Sequence, residues 1–541
     1  MLSRANDDGR WEENMNIDMK ERSVGLLLRQ RAEQMPDKLF VRSAGVDLSY
    51  GKFNERANQF AAYLYSLGMK PGDKIGIMLP NSPEFLVAWL GAAKANIVYV
   101  PINTEYRGQI LSHQLDLADV STMVIGAEYL DRLVAVDDKL PKLKRVIVFG
   151  ATQTEVPKRL TRLDWAEASS MKGSEPAALA RYTDPFAISY TSGTTGPSKG
   201  ALTTNCHVVT FAQDFITLME YEPEDKLYTC MPLFHALGSW LGVLTTLMAG
   251  GSCLVGARFS ASGFWDDVRS FDATLGHMIF SIPHILLKNP PRPDDKTTLR
   301  RVYVAQRNKE FEERFNCRIH EIYGQSETGI VTGCWPGTPT KPGSAGKANP
   351  NTYDVKIVDD DDNEVPPGTV GEFVVRPKNP YGMANEYYNM PRETIAAFRN
   401  FWFHTGDSGT MDEDGYFYFT DRKKDALRRR GQNISSFELE TVVMSHPKVL
   451  DCAAVAVPSP LTEDDVKVVV VVRPSEKLTA EDLWTYCDQN MPRFWVPRYI
   501  EFRDILPRTP TQKVEKYKLR AGEGAGQVFD REATEKKAKA S

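Results

Sequence analysis

Short β-branched runs alternate along this chain with stretches of helical periodicity, and that alternation narrows the fold more than any other feature. The runs KIGIMLP (74–80), NIVYVPIN (96–103), TMVIG (122–126) and RVIVFG (145–150) read as strands. Between the first two, NSPEFLVAWLGAAKAN reads as a capped helix. Asn81 or Ser82 accepts the first free N–H groups, Pro83 suits the first turn, and Phe85, Leu86, Trp89 and Leu90 share one face. Repeats of this kind imply an α/β fold of largely parallel sheets covered by helices. The end of the chain carries a separate pattern. SSFELETVVMSHPKV (435–449) opens on a capping box from Ser435 to Glu438 and leads to CAAVAVP, VKVVVVVRP, a helix from Thr479, and RYIEFRD. That is a small α/β unit with its own core, and the charged stretch DRKKDALRRRG (421–431) before it reads as a linker. The expected organisation is a large N-terminal body of α/β subdomains, 1–423, and a small C-terminal α/β domain, 424–541.

Bulk properties remove several classes of function. A net charge of -5 over 541 residues gives no reason to expect nucleic acid or an anionic membrane as partner. Seven scattered cysteines form neither a metal-ligand spacing nor a secreted disulfide framework, so a reducing, cytoplasmic setting is expected. The first twenty residues, MLSRANDDGRWEENMNIDMK, hold no apolar signal core, and their acidic residues argue against a transit peptide. From Ala236 to Ala257 no residue is charged, a length that could span a membrane. Gly238, Gly242, Gly250 and Gly251 interrupt it, so the expectation is a buried helix to about Ala249, a Gly-Gly turn and the strand CLVGA. No repeat or low-complexity tract occurs apart from a polar tail after about Glu532, and oligomeric state stays open.

YTSGTTGPSKGAL (190–202) gathers Gly, Thr and Ser around one lysine, directly after the apolar run FAIS. Glycine lets backbone N–H groups converge on a ligand, Thr and Ser add hydroxyl donors, and lysine adds a mobile positive charge. The string is not the common P-loop, because Pro197 and Ser198 separate Gly196 from Lys199 and Gly200 follows the lysine. An ordinary flexible linker has the same composition. The strand-like run before it and the helical pattern from Asn205 to Met219 favour a phosphate loop at a strand–loop–helix junction.

Four further islands carry reactive side chains: YGQSETG (323–329), FHTGDSG (403–409) with Asp407 on an apparent tight turn, DRKKD with Arg422, and PRTPTQKVEKYKLR (507–520) with Lys513. Each has a plainer reading: Tyr323 as core, Asp407 as a turn residue, Arg422 and Lys513 as solvated charges. Their order and joint presence resemble the adenylate-forming superfamily of acyl-CoA synthetases, luciferases and adenylation domains, over roughly residues 25 to 520. Within it, RNKEFEERFNC and YCDQNMPRFWVPRYIEFRDILPRTP look most like carnitine/crotonobetaine-CoA ligases.

The resemblance implies an acid–thiol ligase. A carboxylate attacks the α-phosphate of ATP to give acyl-AMP and pyrophosphate, and a thiol, usually that of coenzyme A, then displaces AMP. Thr191, Ser192, Gly193, Thr194, Thr195, Gly196 and Lys199 are implied to wrap the β- and γ-phosphates. In the next island Ile322, Tyr323, Gly324, Gln325 and Ser326 line the nucleotide, Tyr323 stacking on adenine and Ser326 bonding the α-phosphate. Glu327 is implied to hold Mg²⁺, a hard ion suited to carboxylate and phosphate oxygen. Asp407 fits the ribose diol, with Arg422 beside it. Lys513 is implied to neutralise charge between the carboxylate and the α-phosphate. The small domain is implied to rotate about Lys424 between the two steps, bringing Gly431 to the pantetheine channel. His235 matches the gating aromatic position beside the acyl pocket, and its plainer reading is a core histidine. Trp240, with Phe211 and Trp335, is available to line that pocket.

Three positions depart from the pattern. VAQRNKEF (304–311) stands where a Gly-Gly-Ala segment usually touches the base. Gln512 replaces the glycine before the catalytic lysine, where φ > 0 would be permitted. Arg430 and Gln432 flank Gly431 where some relatives carry Gly and Glu. The basic run Lys423, Lys424, Arg428, Arg429 and Arg430 fits coenzyme A phosphates and a solvated linker equally well. Other readings stay open: a ligase for a short, medium-chain or aryl acid, an adenylating enzyme serving a carrier protein, luciferase-type oxidation, and a catalytically silent nucleotide-binding module. The chain ends soon after Lys513, against a carrier arrangement, and retention of Lys513, Glu327 and Asp407 counts against the silent module.

Overall fold

A computed structural model of the chain describes residues 17–106, 108–191, 198–279, 281–304, 307–422, 427–429, 432–434, 436–459, 464–491, 495–509 and 512–534. These fall into two compact units, one comprising 1–191, 198–355 and 375–401, the other 192–197, 356–374 and 402–541. The four sequence-expected strands form, as Lys74–Met78, Val98–Pro101, Thr122–Gly126 and Arg145–Phe149. They lie mutually parallel at the heart of an eight-stranded sheet, ordered Glu386–Tyr387, Lys199–Thr204, Pro185–Thr191, Val98–Pro101, Lys74–Met78, Thr122–Gly126, Arg145–Phe149, Thr161–Asp164. A second sheet of seven strands runs Arg318–His320, Arg301–Tyr303, Leu275–His277, Lys226–Thr229, Ser252–Val255, Leu39–Ser43, Val46–Ser49, parallel except for its last pair.

Helix Pro83–Lys94 shows how little solvent reaches the interior of this unit. Ser82 caps it, accepting from the Phe85 N–H at 3.2 Å, while Asn81 turns away to donate to the Met231 and Gly256 carbonyls. The expected single apolar face is an underestimate, since every residue of this helix except the half-buried Glu84 is buried. Gly91 makes that possible: a Cβ there would lie 2.9 Å from the Ala57 carbonyl oxygen on the neighbouring helix Tyr50–Ser66. Lys94 is fully buried too, its ammonium 2.7 Å from Glu175 and hydrogen-bonded to Asn54. A buried charge is tolerated only when paired in this way.

The stretch after Ala236 folds as expected in outline and differs in one turn. Leu241 N–H reaches back to Ala236 and Val243 N–H to Gly238, five residues each, so Ser239–Leu244 is a π-turn that leads into the α-helix Thr245–Ala249. Gly250 then takes φ 78 and the strand Ser252–Val255 follows. Among the described residues no helix is long and apolar enough to cross a membrane. All seven cysteines are free and buried.

In the second unit, strand Asp464–Val472 is central to the order Val449–Pro458, Asp464–Val472, Tyr499–Phe502, Val528–Asp530. Its valine run is buried on both faces. Val466, Val468 and Val470 pack with Leu439, Leu483 and Trp484, while Val469 and Val471 pack with Leu506 and Leu519. The period-two alternation of a strand therefore feeds two separate cores. Thr479 caps helix Ala480–Asn490 as expected, accepting from the Asp482 N–H at 3.1 Å. The expected capping box at Ser435 lies outside the described residues.

Candidate functional site

The larger unit brings three of its segments together around one tyrosine. Thr191 ends the strand Pro185–Thr191 and pairs with Lys199, which begins the antiparallel strand Lys199–Thr204. The expected strand–loop–helix junction is thus corrected: a strand intervenes before helix Asn205–Met219, and the loop connects an antiparallel pair. No helix N-terminus follows the loop directly, so any anion-binding power there has to come from loop N–H groups, hydroxyls and Lys199. Ser192, Gly193, Thr194, Thr195 and Gly196 lie outside the described residues. Lys199 extends its ammonium over the ring of Tyr387, 4.7 Å from the centroid.

Ile322, Tyr323, Gly324 and Gln325 form a strand paired antiparallel to Gly329–Gly333, with Ser326 and Glu327 in the connection. Tyr323 is buried. Glu327 is 6% exposed, and its Oε1 accepts from the Tyr387 hydroxyl at 3.1 Å. Its peptide is held as well: Ala384 N–H donates to the Glu327 carbonyl at 2.8 Å, and the Tyr353 hydroxyl contacts the carbonyls of Thr328 and Gly382. Among the described residues Glu327 Oε2 has no protein donor, so the group offers a hard, anionic oxygen of the kind Mg²⁺ takes. Tyr387 itself is absent from the sequence-derived set. Its only local signal was the doublet Tyr387–Tyr388, in which Tyr387 ends the short strand Glu386–Tyr387 and Tyr388 opens the turn after it.

Helix Asn205–Met219 presents His207, Phe211 and Phe215 at four-residue spacing, hence on one face. The rings of His207, Phe211 and Trp240 stand 6.3 to 6.4 Å apart, and Trp240 Nε1 donates to the Tyr99 hydroxyl at 2.5 Å. Phe211 also abuts Gly329, where a Cβ would come within 3.3 Å of the ring. Phe215 continues the wall to His277 and Tyr303, at 5.3 and 5.6 Å. Among the described residues neither ring nitrogen of His207 has a hydrogen-bond partner, and burial pushes its pKa down to about 3, so this imidazole is neutral. Burial lowers His277 to about 3 likewise. His235, by contrast, is exposed, which removes its core-histidine reading; its Nδ1 accepts from the Leu237 N–H at 3.2 Å. Trp335 donates to the Lys347 carbonyl at 2.9 Å and packs at the edge of the same core cluster that holds Phe211, Phe215 and Trp240. In place of the Gly-Gly-Ala segment, Asn308 caps a helix, Lys309–Phe315, and Arg307 bonds Glu312; Ala305 and Gln306 lie outside the described residues.

The smaller unit holds the other candidates. Asp407 is not on a tight turn but inside strand Phe403–Met411, 4% exposed, with Arg422 as its antiparallel partner residue. The turn-like composition comes from Gly406, whose φ of 71 kinks the strand while its N–H donates to Glu372 at 2.9 Å. Lys513 sits in a short closed loop: Thr509 N–H donates to the Lys513 carbonyl at 2.7 Å, and Lys513 N–H to the Thr509 hydroxyl at 3.1 Å. Gln512 takes φ 65, the left-handed conformation that a glycine would adopt freely. Lys424 and Gly431 lie outside the described residues.

Known proteins share this architecture. The chain matches the family described as AMP-binding enzyme over residues 28–388, and the AMP-binding enzyme C-terminal domain over 438–513. A crotonobetaine/carnitine–CoA ligase of Salmonella paratyphi B is 32% identical over 489 residues, 87% of this chain and 93% of that protein. ATP-bound MatB from Rhodopseudomonas palustris superposes with a TM-score of 0.80 at 26% identity, covering 92% of this chain and 98% of its own. The anthranilate CoA ligase AuaEII, in complex with anthranoyl-AMP, superposes at 0.84 with 23% identity, covering 94% and 98%; at that identity the likeness is one of fold.

Proposed function

This chain belongs to the AMP-binding enzyme family and is an AMP-forming acid–thiol ligase, and from that premise we propose how its residues divide the work. Oxide is a poor leaving group from a carboxylate and AMP a good one, so the acid is first joined to the α-phosphate of ATP and then passed to the thiol of coenzyme A. Bringing an anion to a polyanion demands positive charge at the site. Lys199, with the loop 191–196, takes the β- and γ-phosphates. Glu327 holds Mg²⁺, which supplies charge neutralisation along the triphosphate when bound. Tyr323 faces adenine, with Ile322, Gly324 and Gln325 alongside, and Ser326 bonds the α-phosphate. Asp407 and Arg422 hold the ribose, and Lys513 neutralises the reacting carboxylate and α-phosphate oxygens. Lys424 serves as the hinge between the 1–423 and 424–541 domains, Gly431 lines the thiol channel, and His235 gates the acyl pocket. The single observation that carries this reading is the convergence of Lys199 and Glu327, one cation and one anion from distant segments, on the same Tyr387. We place the enzyme in the cytoplasm, where its co-substrates are abundant.

For the acid, the named substrates of the Salmonella relative favour one carrying a trimethylammonium group. Such a cation is held by aromatic faces, and Phe211, Trp240 and neutral His207 supply them. A second reading has its own support. Those three rings are 6.3 to 6.4 Å apart, in edge and stacking contact with each other, which suits a plain apolar chain from a short or aryl acid. Pyrophosphate release across a panel of carboxylates, with and without coenzyme A, tests the reaction; turnover indifferent to every thiol would refute the ligase. A kcat/KM for crotonobetaine about 5- to 30-fold above those for crotonate and hexanoate is expected of a cation–π site. The reverse order would leave the uncharged acid.

A further inference from the structure

Tyr387 lies on the two-residue strand Glu386–Tyr387, opposite Ala201 of the strand that begins with Lys199. Its backbone is fixed on both sides: its N–H donates to the Thr394 hydroxyl at 3.0 Å, and its carbonyl accepts from Met390 N–H at 2.9 Å. The ring is 7% exposed. Lys199 lies over the ring face at 4.7 Å, and the hydroxyl donates to Glu327 Oε1 at 3.1 Å. Among the described residues Lys199 makes no ion pair with any carboxylate, Glu327 included. Two opposite charges attached to the same buried ring would attract each other strongly at low dielectric. If they met, each would occupy the other and neither would serve a ligand.

We propose that Tyr387 is a positioning residue that keeps Lys199 and Glu327 from pairing, its ring carrying the ammonium and its hydroxyl fixing one carboxylate oxygen, so that both stay available to a magnesium–triphosphate. This rests on the assignment of Lys199 to phosphate and Glu327 to metal. The hydroxyl donates to Glu327 Oε1, so this carboxylate oxygen is held in place while the ring face stays with Lys199. The two halves of the residue are separable. Tyr387→Phe keeps the ring over Lys199 and loses the proton for Glu327; Tyr387→Leu loses both.

The test measures ATP binding calorimetrically over a series of Mg²⁺ concentrations with no acid present, so that no turnover contributes. Tyr387→Phe is expected to raise the Mg²⁺ midpoint about 10-fold, the usual scale for losing a group that orients a metal ligand, with a smaller change in ATP affinity at saturating Mg²⁺. Tyr387→Leu is expected to weaken ATP by a further ~10-fold even at saturating Mg²⁺, because Lys199 turns to Glu327. Adding Glu327→Gln to Tyr387→Leu should then recover metal-free ATP affinity. Glu327→Gln and Lys199→Ala alone serve as references. If they leave Mg²⁺ dependence and ATP affinity unmoved, the site assignment itself fails. If they respond while Tyr387→Phe retains the wild-type midpoint, or if both Tyr387 variants lose affinity equally with an unmoved midpoint, the positioning role is refuted. Should Tyr387→Leu not fold, the midpoint of Tyr387→Phe decides alone.

Discussion

Replacing Asp214 by Asn should remove a pH-dependent loss of stability from the larger unit. Asp214 is 8% exposed; its Oδ1 accepts from Asn349 Nδ2 at 2.9 Å and the Thr352 hydroxyl at 3.0 Å, while Oδ2 has no hydrogen-bond partner among the described residues. Burial pushes its carboxyl up to about 7, against the opposing pull of Thr352, Arg22 and Asn349. An unfolded aspartate titrates near 3.9. The native state therefore keeps a proton that the unfolded chain has released between those two values. Stability from this group is full below about pH 4, falls as pH rises toward 7, and is level above. Each pH unit across that window is worth about 1.4 kcal/mol, so the swing is roughly 4 kcal/mol. Asparagine cannot ionise, but its amide N–H₂ sits where Oδ2 already lacks a partner, at a cost of ~1–2 kcal/mol. The variant should thus be slightly less stable than the wild type at pH 4 and ~2 kcal/mol more stable at pH 8. With unfolding entropy near 2.1 cal/mol/K per residue over roughly 380 residues, the Tm difference should move by about 5 °C across the range. Scanning calorimetry of both proteins from pH 4 to 8 reads this directly. Parallel Tm curves would refute the reasoning, as would a variant that loses ground as pH rises.

Three further outcomes are expected. Lys513→Ala should cut acyl-AMP formation at least ~10²-fold while sparing thioester formation from pre-made acyl-AMP, since one positioned charge is removed from the first step only; stopped-flow of each half-reaction separates them. Gln512→Gly should leave Tm within about 1 °C, because relief of left-handed strain and the added freedom of the unfolded chain are each roughly 1 kcal/mol and opposed; a shift of several degrees would show that φ 65 is not a strained state here. Tyr99→Phe should cost ~1–3 kcal/mol in urea titration by stranding the buried Trp240 N–H, with selectivity among acids altered as the indole tilts.

Local order was legible because it is written locally. The strands from Lys74 to Phe149 and the cap of helix Pro83–Lys94 follow from residue periodicity and side-chain chemistry within a few positions. The errors arose where distant pairing decides. Lys199–Thr204 reads as a helix approach until Pro185–Thr191 folds back on it, and FHTGDSG reads as a turn until Phe417–Arg422 pairs with it. Asp407, Glu327 and Lys199 stood out by motif. Tyr387 did not, because its meaning comes from Glu327 and Lys199, and no pattern within EYYN announces either. Tyr388, its neighbour in the following turn, serves a different cluster, donating to Asp119 at 2.8 Å beneath Lys74.

The π-turn at Ser239–Leu244 gives this protein an unusual route for change. Such a turn holds one residue more than an α-turn needs, so it can lose a residue without breaking the chain of hydrogen bonds. A single-codon deletion there would restore four-residue bonding and rotate the preceding turn by about 100°. The indole of Trp240 would swing away from Tyr99, and a different side chain would come to face His207 and Phe211. The lining of this wall can therefore be exchanged in one step, by length, with no change in the identity of any surviving residue.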